Sequence, residues 1–112
     1  MERIRKQFVR QMTELLGEGQ FRYGAYKSQP TTPYGMYMRT GSNNFTLDDK
    51  VCIKIDDYEI RLVTDEKDFE LESKIEAILD SLEIPYDVID EEDIQSEKVH
   101  VVEWAVRFGY ER

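Results

Sequence analysis

The chain has 112 residues, of which 40% are hydrophobic and 35% charged, and its formal net charge is −9. That length suits one domain with a modest core. No apolar run approaches the ~20 residues that a membrane span needs, and the acid excess disfavours binding to phosphate backbones.

The charge is unevenly spread. Residues 1–47 hold seven Lys/Arg and three Asp/Glu, and residues 48–112 hold eight Lys/Arg and twenty-one Asp/Glu. A basic surface of one copy can meet an acidic surface of the next, or the two halves can attract each other within one domain. The opening MERIRKQFVRQ is cationic without a continuous apolar stretch, so no secretory signal is expected and the cytoplasm is the default location.

Residues 3–16 read as an amphipathic helix, with Ile4, Phe8, Met12, Leu15 and Leu16 on one face and Gly17 and Gly19 as its stop. Residues 20–26 alternate Phe21, Tyr23 and Ala25 with other residues and read as a strand. Pro30 and Pro33 make KSQPTTP a loop. Residues 34–40 read as a second strand, and 41–49, GSNNFTLDD, as an exposed, mobile loop.

Val51, Ile53 and Ile55, then Tyr58, Ile60 and Leu62, suggest two alternating strands, 50–56 and 58–64, joined by a turn at Asp56–Asp57. Asp65 is the expected N-cap of a second helix reaching about Leu82, with Leu71, Ile75, Ile78, Leu79 and Leu82 as its stripe and Pro85 as its stop. YDVI at 86–89 suits a short strand, DEEDIQSE at 90–97 an acidic loop, and KVHVVEWAVRF at 98–108 a final strand that is central or meets a partner with one of its faces. The fold expected from this order is α+β: a mainly antiparallel sheet of four to five strands with two helices packed on one face.

Catalytic signals are sparse. His100 is the sole histidine and Cys52 the sole cysteine. A lone His within a strand reads best as a hydrogen-bonded structural residue, and a lone Cys in VCIK as a small packed residue. No Gly-rich phosphate loop follows a strand into a helix. Asp90, Glu91, Glu92 and Asp93 lack the ligand spacing and central glycine of a calcium loop. No catalytic, cofactor-binding or metal residues are assigned, no cofactor is expected, and the chain reads as a non-enzyme. Tyr23, Tyr26, Tyr34 and Tyr37, with Met36 and Met38, fit a core or a protein interface better than a nucleic-acid platform.

Two stretches carry a family resemblance. They are PYGMYMRTGSNNFTLDDKVCIKIDDYEIRLVTDEKDFELESKIEAIL, residues 33–79, and IQSEKVHVVEWAVRF, residues 94–108. In this order they resemble a family of short proteins from tailed bacteriophages and prophages of Gram-positive bacteria. That family is similar to tail-terminator, or head–tail joining (tail completion), proteins of siphophages. The resemblance implies one such domain over 1–112 and a non-enzymatic subunit of a possible hexameric ring. It also implies the phage tail tube and head connector proteins as partners. Assembly in the host cytoplasm and a place at the virion tail or head–tail junction follow, with no specific nucleic-acid or membrane binding.

The expected protein-interface residues are Tyr34, Tyr37, Arg39, Asn43, Asn44 and Phe45, and Asp90, Glu91, Glu92 and Asp93 are expected to form an acidic lumen or mating edge. The alternative reading is a cytoplasmic protein-binding adaptor or regulatory module without catalysis.

Overall fold

A computed structural model describes residues 2–111, with side chains for all of these but residues 2, 51, 52, 110 and 111. The expectation for the Cys52 side chain therefore lies outside the described residues. Helix α1 spans Glu2–Leu16, and its apolar stripe buries Phe8 and Met12 completely. Gly17 ends it in the left-handed region at φ 110°, with its N–H donating to Thr13 O at 2.8 Å.

Strand β1 is shorter than expected, Phe21–Tyr23, and runs parallel to β2, Tyr34–Ser42. The expected loop at 41–49 is instead the end of β2, a short β3 at Phe45–Leu47, and a turn. The expected hairpin turn at Asp56–Asp57 does not exist. One continuous strand, β4, runs Lys50–Thr64. Within it Asp57 pairs with Gly41 and Arg107, and Asp56 with Ser42 and Phe108. The chain reverses at Asp48–Asp49 instead, between the paired residues Leu47 and Lys50. Both turn residues have positive φ, 53° and 61°, as a two-residue primed turn requires.

Helix α2 spans Phe69–Ser81. Its N-cap is Asp68, whose Oδ1 accepts from Leu71 N at 3.0 Å. Asp65, the expected cap, lies outside the helix and accepts a hydrogen bond from the Thr32 hydroxyl. The helix closes before Pro85 can act on it. Ile84 N donates to Leu79 O and Glu83 N to Asp80 O, with Glu83 at φ 56°, which is a Schellman motif.

Strand β5, Tyr86–Ile94, takes in the four acidic residues expected in a loop, and β6 runs Val99–Glu111. The six-stranded sheet has the order β1-β2-β4-β6-β5, with β3 attached to β4. The sheet gains β3 in the supposed loop, while the two strands expected at 50–56 and 58–64 are the single β4.

Cross-strand partners share a face. Tyr37, Ile60 and Trp104 align, as do Gly35, Leu62 and Val102. This face carries both helices: Phe8, Met12, Ile75 and Leu79 join these residues in one buried cluster. Phe8 meets Phe21, Tyr37 and Phe108 at ring-centroid distances of 5.6, 5.9 and 5.7 Å. On the opposite face Tyr34, Val63 and Val101 form a smaller cluster, with Tyr26 packed against it. Tyr26 is held there by its hydroxyl, which donates to Gly35 O at 2.6 Å.

The principal extents are 52 × 27 × 25 Å. A fifteen-residue strand at about 3.4 Å per residue is roughly 50 Å long, so β4 alone sets the long dimension. The outer halves of β2, β4 and β6, together with β3, make an arm in which every residue from Met38 to Lys50 is exposed. No described helix is long and apolar enough to cross a membrane.

Candidate functional site: the arm and the acidic edge

The arm is held in register by asparagine chemistry. Between β2 and β3 the ladder is interrupted at Asn43–Asn44. Asn43 N donates to Ile55 O at 2.8 Å, and Asn44 Oδ1 accepts from Ile55 N at 3.1 Å. The amide side chain thus stands in for a backbone carbonyl, and β3 continues the line of β2 beside β4.

Of the residues expected at an interface, Arg39, Asn43, Asn44 and Phe45 are exposed on this arm. Arg39 and Asn44 line a polar groove of about 360 Å³ with Gly41, Ser42, Lys54 and Asp56. Tyr34 and Tyr37 are not on the surface. They are 6% and 3% exposed, because their positions in β2 fall over the two apolar clusters. Tyr37 also accepts from Arg5 Nη1 at 3.1 Å.

Among the described residues, the large exposed apolar side chains of the arm are Met38, Phe45, Leu47 and Ile53. Leu47 falls in the segment expected as a mobile loop and is absent from the expected interface residues. The available signal was the pattern Phe45-Thr46-Leu47, which alternates like a strand directly before an Asp–Asp turn.

The acidic edge is built differently. Strand β5 pairs only with β6, so it is an edge strand, and its charges discourage further strand pairing. A register break between Val88 and Asp90 separates its apolar start from its acidic end. Asp93 and Glu91 pair with His100 and Val102, so both carboxylates sit on the helix-bearing face. Asp90 and Glu92 alternate with them and are exposed.

His100 is 6% exposed, and its ring is held between two carboxylates. Nε2 lies 2.8 Å from Glu91 Oε2, and Nδ1 contacts Asp93 Oδ1. With both nitrogens facing carboxylates, the ring donates twice as imidazolium. The bond to Asp93 raises its pKa above the usual 6.5, with Glu91 adding to this against the opposing effect of burial.

Lys67, just ahead of α2, places Nζ 2.7 Å from both Glu72 Oε1 and Glu91 Oε2. Hydrogen bonds from Lys67 and then His100 hold the Glu91 carboxyl below its ordinary value. Glu72, Glu91 and His100 bring possible metal-ligand atoms within 4.8 Å of one another. The Lys67 ammonium already supplies positive charge to both carboxylates of that trio. The cluster is best read as an ionic clasp tying β5 to β6 and to the start of α2. The expected lumen residues therefore divide: Glu91 and Asp93 serve the clasp, while Asp90 and Glu92 face outward.

No protein-family model matches the chain, and no curated protein does. Among solved structures, it is similar to a chain of the "Virion of native gene transfer agent (GTA) particle", with a TM-score of 0.50 and 13% identity. That match covers 97% of this chain and 92% of the other. At this identity the likeness is one of fold: the two-helix, six-stranded α+β arrangement has a counterpart in a chain of that particle.

Proposed function

We propose that this chain is a non-enzymatic structural subunit of a phage or prophage particle, of the tail-terminator or head–tail joining kind. It would act by lodging its arm against neighbouring proteins at the head-proximal end of the tail tube. The observation that carries this reading is the arm itself. A strand of fifteen residues runs well past the helix-covered core, and β3, paired along its far end, presents Phe45 and Leu47, 54% and 59% exposed. A domain whose stability was its only concern has no use for such an extension, whereas an assembly subunit reaches its neighbour with it.

The fold likeness to a chain of a virion particle, spanning almost all of both chains, supports the same reading. So does the division of charge. Arg3, Lys6 and Arg10 are exposed on α1, and Asp90 and Glu92 on β5, which gives one copy the means to meet another head to tail. Negative-stain imaging of assembled tails with bound, labelled protein tests the proposal. Density at the head-proximal end is the expected result. Label scattered along the tail, or absent from it, would refute it.

A further inference from the structure

Beside the base of the arm lies a second apolar surface that the described residues leave open. A hollow of about 290 Å³ is lined by Ile4 of α1, Ile53 and Ile55 of β4, Leu82 and Ile84 of the turn after α2, and Phe108 of β6. It exists because β4 and β6 run on past the helices. The helix-bearing layer ends at the start of α1 and at Leu82 after α2, while the strands beneath continue to Lys50 and Glu111.

We propose that this hollow receives the arm tip, Phe45 and Leu47, of a second copy of the chain. The proposal rests on the structural-subunit reading above and gives its head-to-tail contact a definite pair of surfaces.

Three observations carry it. First, the tip is exposed and apolar and the hollow is an open depression with a largely apolar, partly exposed lining, and such surfaces are driven together by loss of water contact. Second, a chain cannot fill its own hollow. Phe45 is held opposite Ile53 and Leu47 opposite Lys50 by strand pairing, and neither lines the hollow that Ile53 borders. Third, the charges at the two surfaces are complementary. The tip ends in exposed Asp48 and Asp49, whereas the hollow has Arg107 in its lining and exposed Arg3 and Lys6 flanking Ile4, against Glu83. The surfaces are different patches of one molecule, so the contact is heterologous and propagates until a ring closes.

The test is a mixing experiment on the full chain under reducing conditions, read by light scattering over a wide concentration range. Leu47→Lys removes the tip and leaves the hollow. Leu82→Lys blocks the hollow and leaves the tip, at a helix end that tolerates a cation. Circular dichroism checks that each variant is folded, and Phe45→Lys and Ile4→Glu replace any that is not.

Each variant alone should associate about tenfold more weakly than wild type. An equimolar mixture should form dimers and stop there, since only one intact tip–hollow pair is available. If wild type assembles and the variants assemble equally well, the tip–hollow contact is wrong and the structural-subunit reading stands. If wild type stays monomeric yet labels tails at their head-proximal end, self-pairing is overturned while the reading on which it rests survives. Monomers that also fail to label tails overturn both.

Discussion

His100 Nε2 donates to Glu91 Oε2 at 2.8 Å, and the same carboxylate oxygen lies 2.7 Å from Lys67 Nζ. One edge-strand glutamate thus ties the central strand β6 to the approach to α2. The clasp makes stability depend on pH with a definite sign. The folded His100 pKa is raised above 6.5. Its contribution is therefore complete below the unfolded value and is lost as pH rises through the folded value. Glu91 has a lowered pKa, so its contribution is present above 4.5 and lost as pH falls through its folded value. Urea unfolding across this range should show a maximum between the two, and His100→Gln should flatten the alkaline side. An unchanged alkaline limb in the variant would show that the ring is not held as imidazolium.

Trp104 is completely buried and donates from Nε1 to Glu76 Oε2 at 2.9 Å, joining the sheet to α2. Glu76→Ala leaves that N–H without its partner and should cost about 1–3 kcal/mol. Glu76→Gln keeps an acceptor and should cost less. Trp104 is the sole tryptophan, so its fluorescence reports both the unfolding midpoint and any change around the indole.

Gly35 lies where three elements converge. A Cβ there would meet Arg61 O at 3.0 Å, Phe21 Cδ1 at 3.2 Å and Leu16 Cδ1 at 3.4 Å. The nearest of these is backbone of β4, which cannot swing aside. Gly35→Ala should destabilise the fold by about 1–3 kcal/mol through overpacking. Thermal unfolding measures it, and a midpoint equal to wild type would mean that the sheet yields more readily than its pairing implies.

Two Asp–Asp pairs lie eight residues apart, and glycine distinguishes them. Asp49 has φ 61°, so Asp49→Gly relieves a left-handed residue and should stabilise by up to about 1 kcal/mol. Asp57 sits mid-strand and accepts from Arg107 Nε at 3.0 Å. Asp57→Gly should therefore destabilise by about 1 kcal/mol. Paired denaturant titrations of the two variants should move the midpoint in opposite directions, and equal shifts would contradict the turn assignment.

Those two pairs also show how far local chemistry reaches. The apolar positions of β4 change from odd (Ile53, Ile55) to even (Tyr58, Ile60, Leu62) at Asp56–Asp57. Read locally, that change marks a turn. In the fold it marks where one strand passes from the arm to the helix-covered core, with unbroken pairing to β6. The acidic run at 90–93 was hidden for a related reason. Four consecutive carboxylates have low strand propensity, and only cross-strand pairing to β6, with His100 and Lys67 supplying positive charge, makes them an edge.

The sequence by itself determined both helices, the apolar stripes that bury them, and the α+β class. Those features follow from periodicity, which is a property of neighbours along the chain. Tertiary structure alone decided that β4 runs unbroken through Asp56–Asp57, which side β1 joins, and that Tyr34 and Tyr37 lie inside while Phe45 and Leu47 stay outside. It also decided that His100 meets Glu91 and Asp93. Each of these depends on which strand lies alongside, and strand partners are chosen by contacts between residues far apart in the chain.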